Sequence, residues 1–103
     1  MNLRRNAPIA RLVSTGRFCP PRVMTNAELE TLVDTSDEWI RTRTGIRERR
    51  IADPETGAAD MGAAAARVAM ERARVGVEDV DLILVSTATP DRLLPSTACD
   101  VQA

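Results

Sequence analysis

The chain has 103 residues, enough for one small domain with a modest core. Its 44% hydrophobic and 28% charged residues exclude a disordered chain, and its net charge of −1 removes any global pull toward nucleic acid or an anionic membrane. It contains no His, so neither a Cys–His nor a Ser–His catalytic pair can be assembled from these residues alone.

Residues 1–8 read as a loose leader. Arg4 and Arg5 make it basic, but Arg11 interrupts the apolar stretch from Ile9 to Val13, so there is no signal-peptide core. No apolar run reaches membrane-spanning length, and the expectation is a cytoplasmic protein. Cys19 and Cys99 lie far apart without metal-ligand spacing, which predicts reduced thiols. Ile9 to Thr15 reads as a strand closed by Gly16. Pro20 and Pro21 then force a turn. Thr25 and Glu28 have capping-box spacing and open a short helix with Leu29, Leu32 and Val33 on one face, ended by Asp34.

The next stretch, Thr35 to Arg50, holds the only Trp of the chain and a cluster of arginines: Arg41, Arg43, Arg47, Arg49 and Arg50. It starts as a helix and ends as a strand. Thr35 and Glu38 have capping-box spacing, Asp37 and Glu38 complement a helix N-terminus, and Gly45 is a helix stop. Trp39 and Arg43 stand four apart and share one face. An indole beside a guanidinium suits a ligand with a flat ring and phosphates. The plainer alternative makes Trp39 a core anchor and the arginines a solvated face. Ile46 to Ile51 alternates as an edge strand guarded by charge.

Asp53 to Gly57 is a loop. Ala58 to Val75 is the strongest helix, and Ala63 to Ala66 allow it to lie close against a neighbour, with Gly76 as its stop. Leu82 to Val85 is continuously apolar, the pattern of a strand buried on both faces. Pro95 to Ala98 starts another helix. The order is α/β. One long helix and one short helix cannot cover such a strand. The expectation is therefore the opening piece of a larger α/β protein.

Four segments carry a family resemblance: Thr25-Asn26-Ala27-Glu28-Leu29-Glu30, Val33-Asp34-Thr35-Ser36-Asp37-Glu38-Trp39-Ile40, Arg43-Thr44-Gly45-Ile46-Arg47-Glu48-Arg49 and Pro95-Ser96-Thr97-Ala98-Cys99. In order and spacing they resemble the N-terminal part of β-ketoacyl-acyl-carrier-protein synthase III. The resemblance covers about Ile9 to Ala103. It implies a thiolase-like fold, present here only as the N-terminal portion of its first half, so residues 1–103 form an incomplete domain.

The resemblance also implies a reaction and partners. An acyl-CoA primer, usually acetyl-CoA, acylates a cysteine. Malonyl-acyl-carrier protein then loses carbon dioxide, and its carbanion attacks the acyl group. The expected enzyme is a homodimer with no separate cofactor, the coenzyme A thioester being its substrate. By position, Trp39 resembles the family's adenine-stacking tryptophan and Arg43 its nucleotide-contacting arginine, with Thr44 and Thr35 as hydrogen-bonding partners. Leu94 occupies a position that reaches the acyl pocket of the partner subunit. Many members have Phe there, so Leu94 implies room for a longer or branched primer. Cys99 is not at the family's nucleophile position and reads as a small buried residue. The catalytic Cys, His and Asn are expected beyond Ala103. Arg47 and Arg49 could border the coenzyme A site, attract acidic acyl-carrier protein or line a solvated strand.

Two further readings fit these residues: a related acyltransferase of secondary metabolism, and a truncated non-catalytic module that binds coenzyme A or pairs with a full subunit. A nucleic-acid binder is disfavoured, because one aromatic near the arginines gives no stacking platform.

Overall fold

The computed structural model describes residues 10–103. Its first unit is built around a two-stranded antiparallel sheet. β1 (Arg22–Thr25) leaves the Pro20–Pro21 turn, and β2 (Glu48–Ile51) pairs with it in the register Arg22–Ile51, Val23–Arg50, Met24–Arg49 and Thr25–Glu48. Arg50 Nη1 donates to the carbonyls of Pro20 and Pro21, each at 3.3 Å, and pins the turn that β1 follows. Between the strands lie α1 (Asn26–Glu30) and α2 (Asp37–Thr44). Thr25 caps α1 by accepting the Glu28 amide at 3.2 Å. The other half of the expected box is replaced, because the Glu28 carboxylate pairs with Arg22 at 2.9 Å. α1 ends at Glu30, before Leu32 and Val33, which are exposed.

The second unit is α3 (Ala58–Ala73) with α4 (Thr97–Gln102) packed on it. The small side chains of α3 admit close neighbours. A Cβ at Gly62 would come to 3.5 Å from Val101 of α4. A Cβ at Gly16 would overlap the Ala65 carbonyl and the Ala69 amide. The Gly16 segment is held there by Ser14 Oγ donating to the Ala69 carbonyl at 2.6 Å and by Arg72 Nη1 donating to the Thr15 carbonyl at 2.9 Å. α3 ends two residues before Val75. Arg74 takes the left-handed cap conformation (φ 57°) expected of a glycine, and Gly76 instead precedes a short 3₁₀ turn at Val77–Asp79.

Two strand expectations fail. From Ala10 to Thr15 the chain forms no ladder, since it bonds to a helix rather than to a strand; Ile9 lies outside the described residues. Leu82 to Val85 is not a buried strand. It has no ladder partner among the described residues, and Leu84 is 85% exposed. The only buried hydrophobic residue among those described is Ile40, at 7% exposure. Accessible area is 9122 Å² against about 5,700 Å² expected for a compact monomer of this mass. The radius of gyration is 19.1 Å against about 13 Å for a compact hundred-residue domain. The chain folds locally and leaves apolar surface that a closed core would cover.

Candidate functional site

The site is organised by α2. Ser36, not Thr35, is its N-cap: Ser36 Oγ accepts the Trp39 amide at 3.1 Å, and the expected start is displaced by one residue. Thr35 has capping-box spacing to Glu38, but the neighbouring Ser hydroxyl reaches the amide. Asp37 and Glu38 occupy the first turn and Arg41 and Arg43 the last, each complementing the helix dipole. Asp37 and Arg41 pair at 3.2 Å along one edge. The helix stops at Gly45, whose φ of 74° places it in the left-handed region.

Trp39 is 57% exposed, so it does not anchor a core. Arg43 is exposed one turn later and makes no ion pair or hydrogen bond among the described residues. The helix thus presents an open indole face with an uncommitted guanidinium beside it. Thr44 Oγ1 donates to the Ile40 carbonyl at 2.7 Å and accepts the Ile46 amide at 3.1 Å, which closes the helix end. Thr35 is half-buried just ahead of the cap, with no hydrogen bond among the described residues. Leu94 is not brought to this site. It lies on the loop before α4 and is 84% exposed.

The residue that sequence reasoning missed is Asn26, 2% exposed. Its Nδ2 donates to Asp37 Oδ1 at 2.7 Å and to the Ile46 carbonyl at 2.9 Å. Its Oδ1 accepts from Arg49 Nη2 at 2.6 Å. Asp37 is held below the ordinary carboxylate range, first by the Asn26 hydrogen bond and then by that of Arg41. A signal was available: Thr25 already caps α1, so an Asn directly after it is surplus to capping and free for another use. Arg49 also donates to the Thr25 carbonyl at 3.3 Å, so its side chain lies on the sheet. Arg47 is exposed.

Cys99 is exposed, contrary to the expectation of a buried residue; its Sγ lies 3.4 Å from Ser96 Oγ. Cys19 is exposed as well. No group of metal-ligating side chains occurs among the described residues, and no described helix is long and apolar enough to cross a membrane. A shallow cleft of about 380 Å³ lies between Ile83–Val85 and the start of α4. Its wall is the uncovered apolar run.

No protein-family model matches the chain. Among curated proteins it is similar to the β-ketoacyl-[acyl-carrier-protein] synthase III of Caldanaerobacter subterraneus subsp. tengcongensis, 53% identical over 94 residues, covering 91% of this chain and 28% of the relative. It is 53% identical over 94 residues to that of Thiobacillus denitrificans, covering 30% of the relative. Among solved structures it is similar to 3-oxoacyl-[acyl-carrier-protein] synthase III from Aquifex aeolicus, with TM-score 0.81 and 52% identity, covering 87% of this chain and 29% of that one. The priming β-ketosynthase of the R1128 polyketide biosynthetic pathway gives TM-score 0.84 and 41% identity, covering 89% and 28%. The chain spans about three-tenths of the length of these relatives.

Proposed function

We infer the function from one premise: in sequence and in its thiolase-like fold, the chain matches the N-terminal part of β-ketoacyl-acyl-carrier-protein synthase III. On this reading the whole protein is a condensing acyltransferase of fatty-acid synthesis. A cysteine thiolate takes the acyl group from acyl-CoA and releases coenzyme A. Malonyl-acyl-carrier protein loses carbon dioxide, and the carbanion displaces the enzyme thiolate to give 3-oxoacyl-acyl-carrier protein. The reaction needs a nucleophilic thiol and donors for the enolate oxygen. With no His in these residues, their part is binding. The coenzyme A thioester is a substrate, and no separate cofactor is called for. We place the enzyme in the cytoplasm as a homodimer.

The observation that carries the reading is 53% identity over 94 residues, with Trp39 exposed one turn from an uncommitted Arg43. The indole stacks on adenine and the guanidinium meets the phosphates of coenzyme A. On this reading Thr44 and Thr35 add further hydrogen-bonding groups for coenzyme A. Calorimetric titration of coenzyme A into the full-length protein and its Trp39→Ala variant tests this. Weaker binding by the variant supports the site, and equal affinity removes Trp39 from it.

A second reading is favoured by the similarity to a polyketide priming ketosynthase. On this reading the primer of the whole protein is larger than acetyl. Leu94 is exposed on its loop, and on this reading it is the residue that enters the partner subunit's acyl pocket, where it leaves more space than Phe. A Leu94→Phe enzyme is expected to shift its kcat/KM ratio toward acetyl-CoA and away from branched primers. An unchanged ratio removes Leu94 from the pocket.

A further inference from the structure

We propose that Asn26 is the positioning residue for the ligand face of α2, setting that helix's rotation through simultaneous bonds to both of its ends and to β2. The inference rests on the reading of Trp39 and Arg43 as coenzyme A contacts. α2 has eight residues and a single buried apolar side chain, Ile40. One apolar anchor fixes where a helix sits and leaves its rotation about the axis loosely set. Side chains stand about 6 Å from the axis of a helix, so a 20° rotation would move the indole by about 2 Å. Misplacement on that scale is enough to spoil a stacking and phosphate geometry.

The Asp37 amide donates to Glu30 Oε1 of α1, which ties the first turn of α2 alone; Asn26 adds the constraint that spans both ends. Its bond to Asp37 Oδ1 holds the first turn of α2, and its bond to the Ile46 carbonyl holds the chain just past Gly45. Its Oδ1 is occupied by Arg49 of β2, while its backbone amide donates to the Arg47 carbonyl at 3.3 Å. Both side-chain donors and the acceptor are therefore in use in a site closed to water. Asp at this position would keep the Arg49 bond, lose both donors and face the Asp37 carboxylate. Leu would lose all three bonds.

The test uses full-length enzyme and compares Asn26→Asp, the double variant Asn26→Asp/Asp37→Asn, and Arg49→Met. Removing the charged hydrogen bond should raise the acyl-CoA KM of Asn26→Asp about tenfold. Its kcat and its KM for malonyl-acyl-carrier protein should stay within about twofold, since losing the Asp37 bond turns α2 without reaching the chemistry. In the double variant the amide at position 37 donates to the carboxylate at position 26, and acyl-CoA KM should return most of the way. A folded Asn26→Asp enzyme with unchanged acyl-CoA KM overturns the proposal, as does a double variant no better than the single. If Asn26→Asp does not fold, Arg49→Met decides: about a threefold rise in acyl-CoA KM is expected from the lost bond to Asn26, and no rise overturns the proposal. A Trp39→Ala enzyme that binds coenzyme A normally instead strikes the underlying reading; weakened binding there with a normal Asn26→Asp strikes only the role of Asn26.

Discussion

Asp91 accepts the Ala58 amide at 2.6 Å from thirty-three positions along the chain. Its second oxygen takes the Ala59 amide at 2.9 Å, so one distant carboxylate caps the N-terminus of α3. Gly57, the nominal N-cap, has no side chain to do this. A Cβ there would lie 2.6 Å from Asp91 Oδ2, so the glycine makes room for the remote cap. The Ala59 and then the Ala58 amide hold the Asp91 carboxyl below its ordinary range. A depressed folded pKa gives stability that is complete above the unfolded value and lost as pH falls through the folded one. Asp91→Asn should therefore lower the thermal midpoint of the full-length protein at pH 7 and converge with wild type below about pH 4. Gly57→Ala, by displacing the carboxylate, should act in the same direction. Parallel pH curves for wild type and Asp91→Asn would show that the carboxylate does not cap α3.

The exposed pair on α2 predicts a salt signature. Arg43→Ala should weaken coenzyme A binding about tenfold at low ionic strength, as expected for a lost charge-assisted contact. The gap between wild type and variant should narrow as salt rises, because an exposed guanidinium is screened. Trp39→Ala should weaken binding by an amount nearly independent of salt, since stacking is not a charge effect. Titrations of the full-length protein across ionic strength separate the two. Equal salt slopes for both variants would mean that Arg43 does not meet the phosphates.

The exposed apolar run predicts how the 103-residue polypeptide behaves alone. Leu82, Leu84, Leu93 and Leu94 are all open to solvent, and the Leu82–Val85 backbone has no ladder partner among the described residues. Unpaired apolar backbone associates. The isolated polypeptide should sediment as heterogeneous oligomers, melt without a sharp transition and show no condensing activity. A monomer with a cooperative melt would overturn this.

The same run shows where sequence reading reaches its limit. Signals that act within a few residues were legible: the acidic first turn and glycine stop of α2, the alanine-rich body of α3, the alternation that became β2. The cap of α2 was off by one, because Thr35 and Ser36 both carry a hydroxyl and only backbone geometry chooses between them. β1 was missed. Its four residues, Arg22 to Thr25, are made a strand by pairing with β2 more than twenty positions away. For Asn26 the surplus to capping was the only local signal, since its side-chain partners, Asp37, Ile46 and Arg49, lie eleven to twenty-three positions further along the chain. Leu82 to Val85 carries a strand's composition, but composition does not supply the hydrogen-bonding partner that makes a strand.

Two left-handed positions give predictions of opposite sign. Gly45 ends α2 at φ 74°, and a Cβ added there would meet nothing within 4 Å. Any cost of Gly45→Ala is therefore conformational rather than steric contact with neighbours, about 1 kcal/mol for a left-handed residue that is not glycine. Gly45→Asn should cost less, because Asn tolerates this region. Arg74 ends α3 at φ 57° and ψ 43° with a full side chain that makes no ion pair among the described residues. Arg74→Gly should then relieve strain and stabilise the full-length protein by up to about 1 kcal/mol, less the extra backbone entropy of an unfolded glycine. Urea unfolding of the two variants should move the midpoint down for Gly45→Ala and up for Arg74→Gly at unchanged m-value. A downward shift in both would mean that the Arg74 side chain contributes more than its backbone conformation costs.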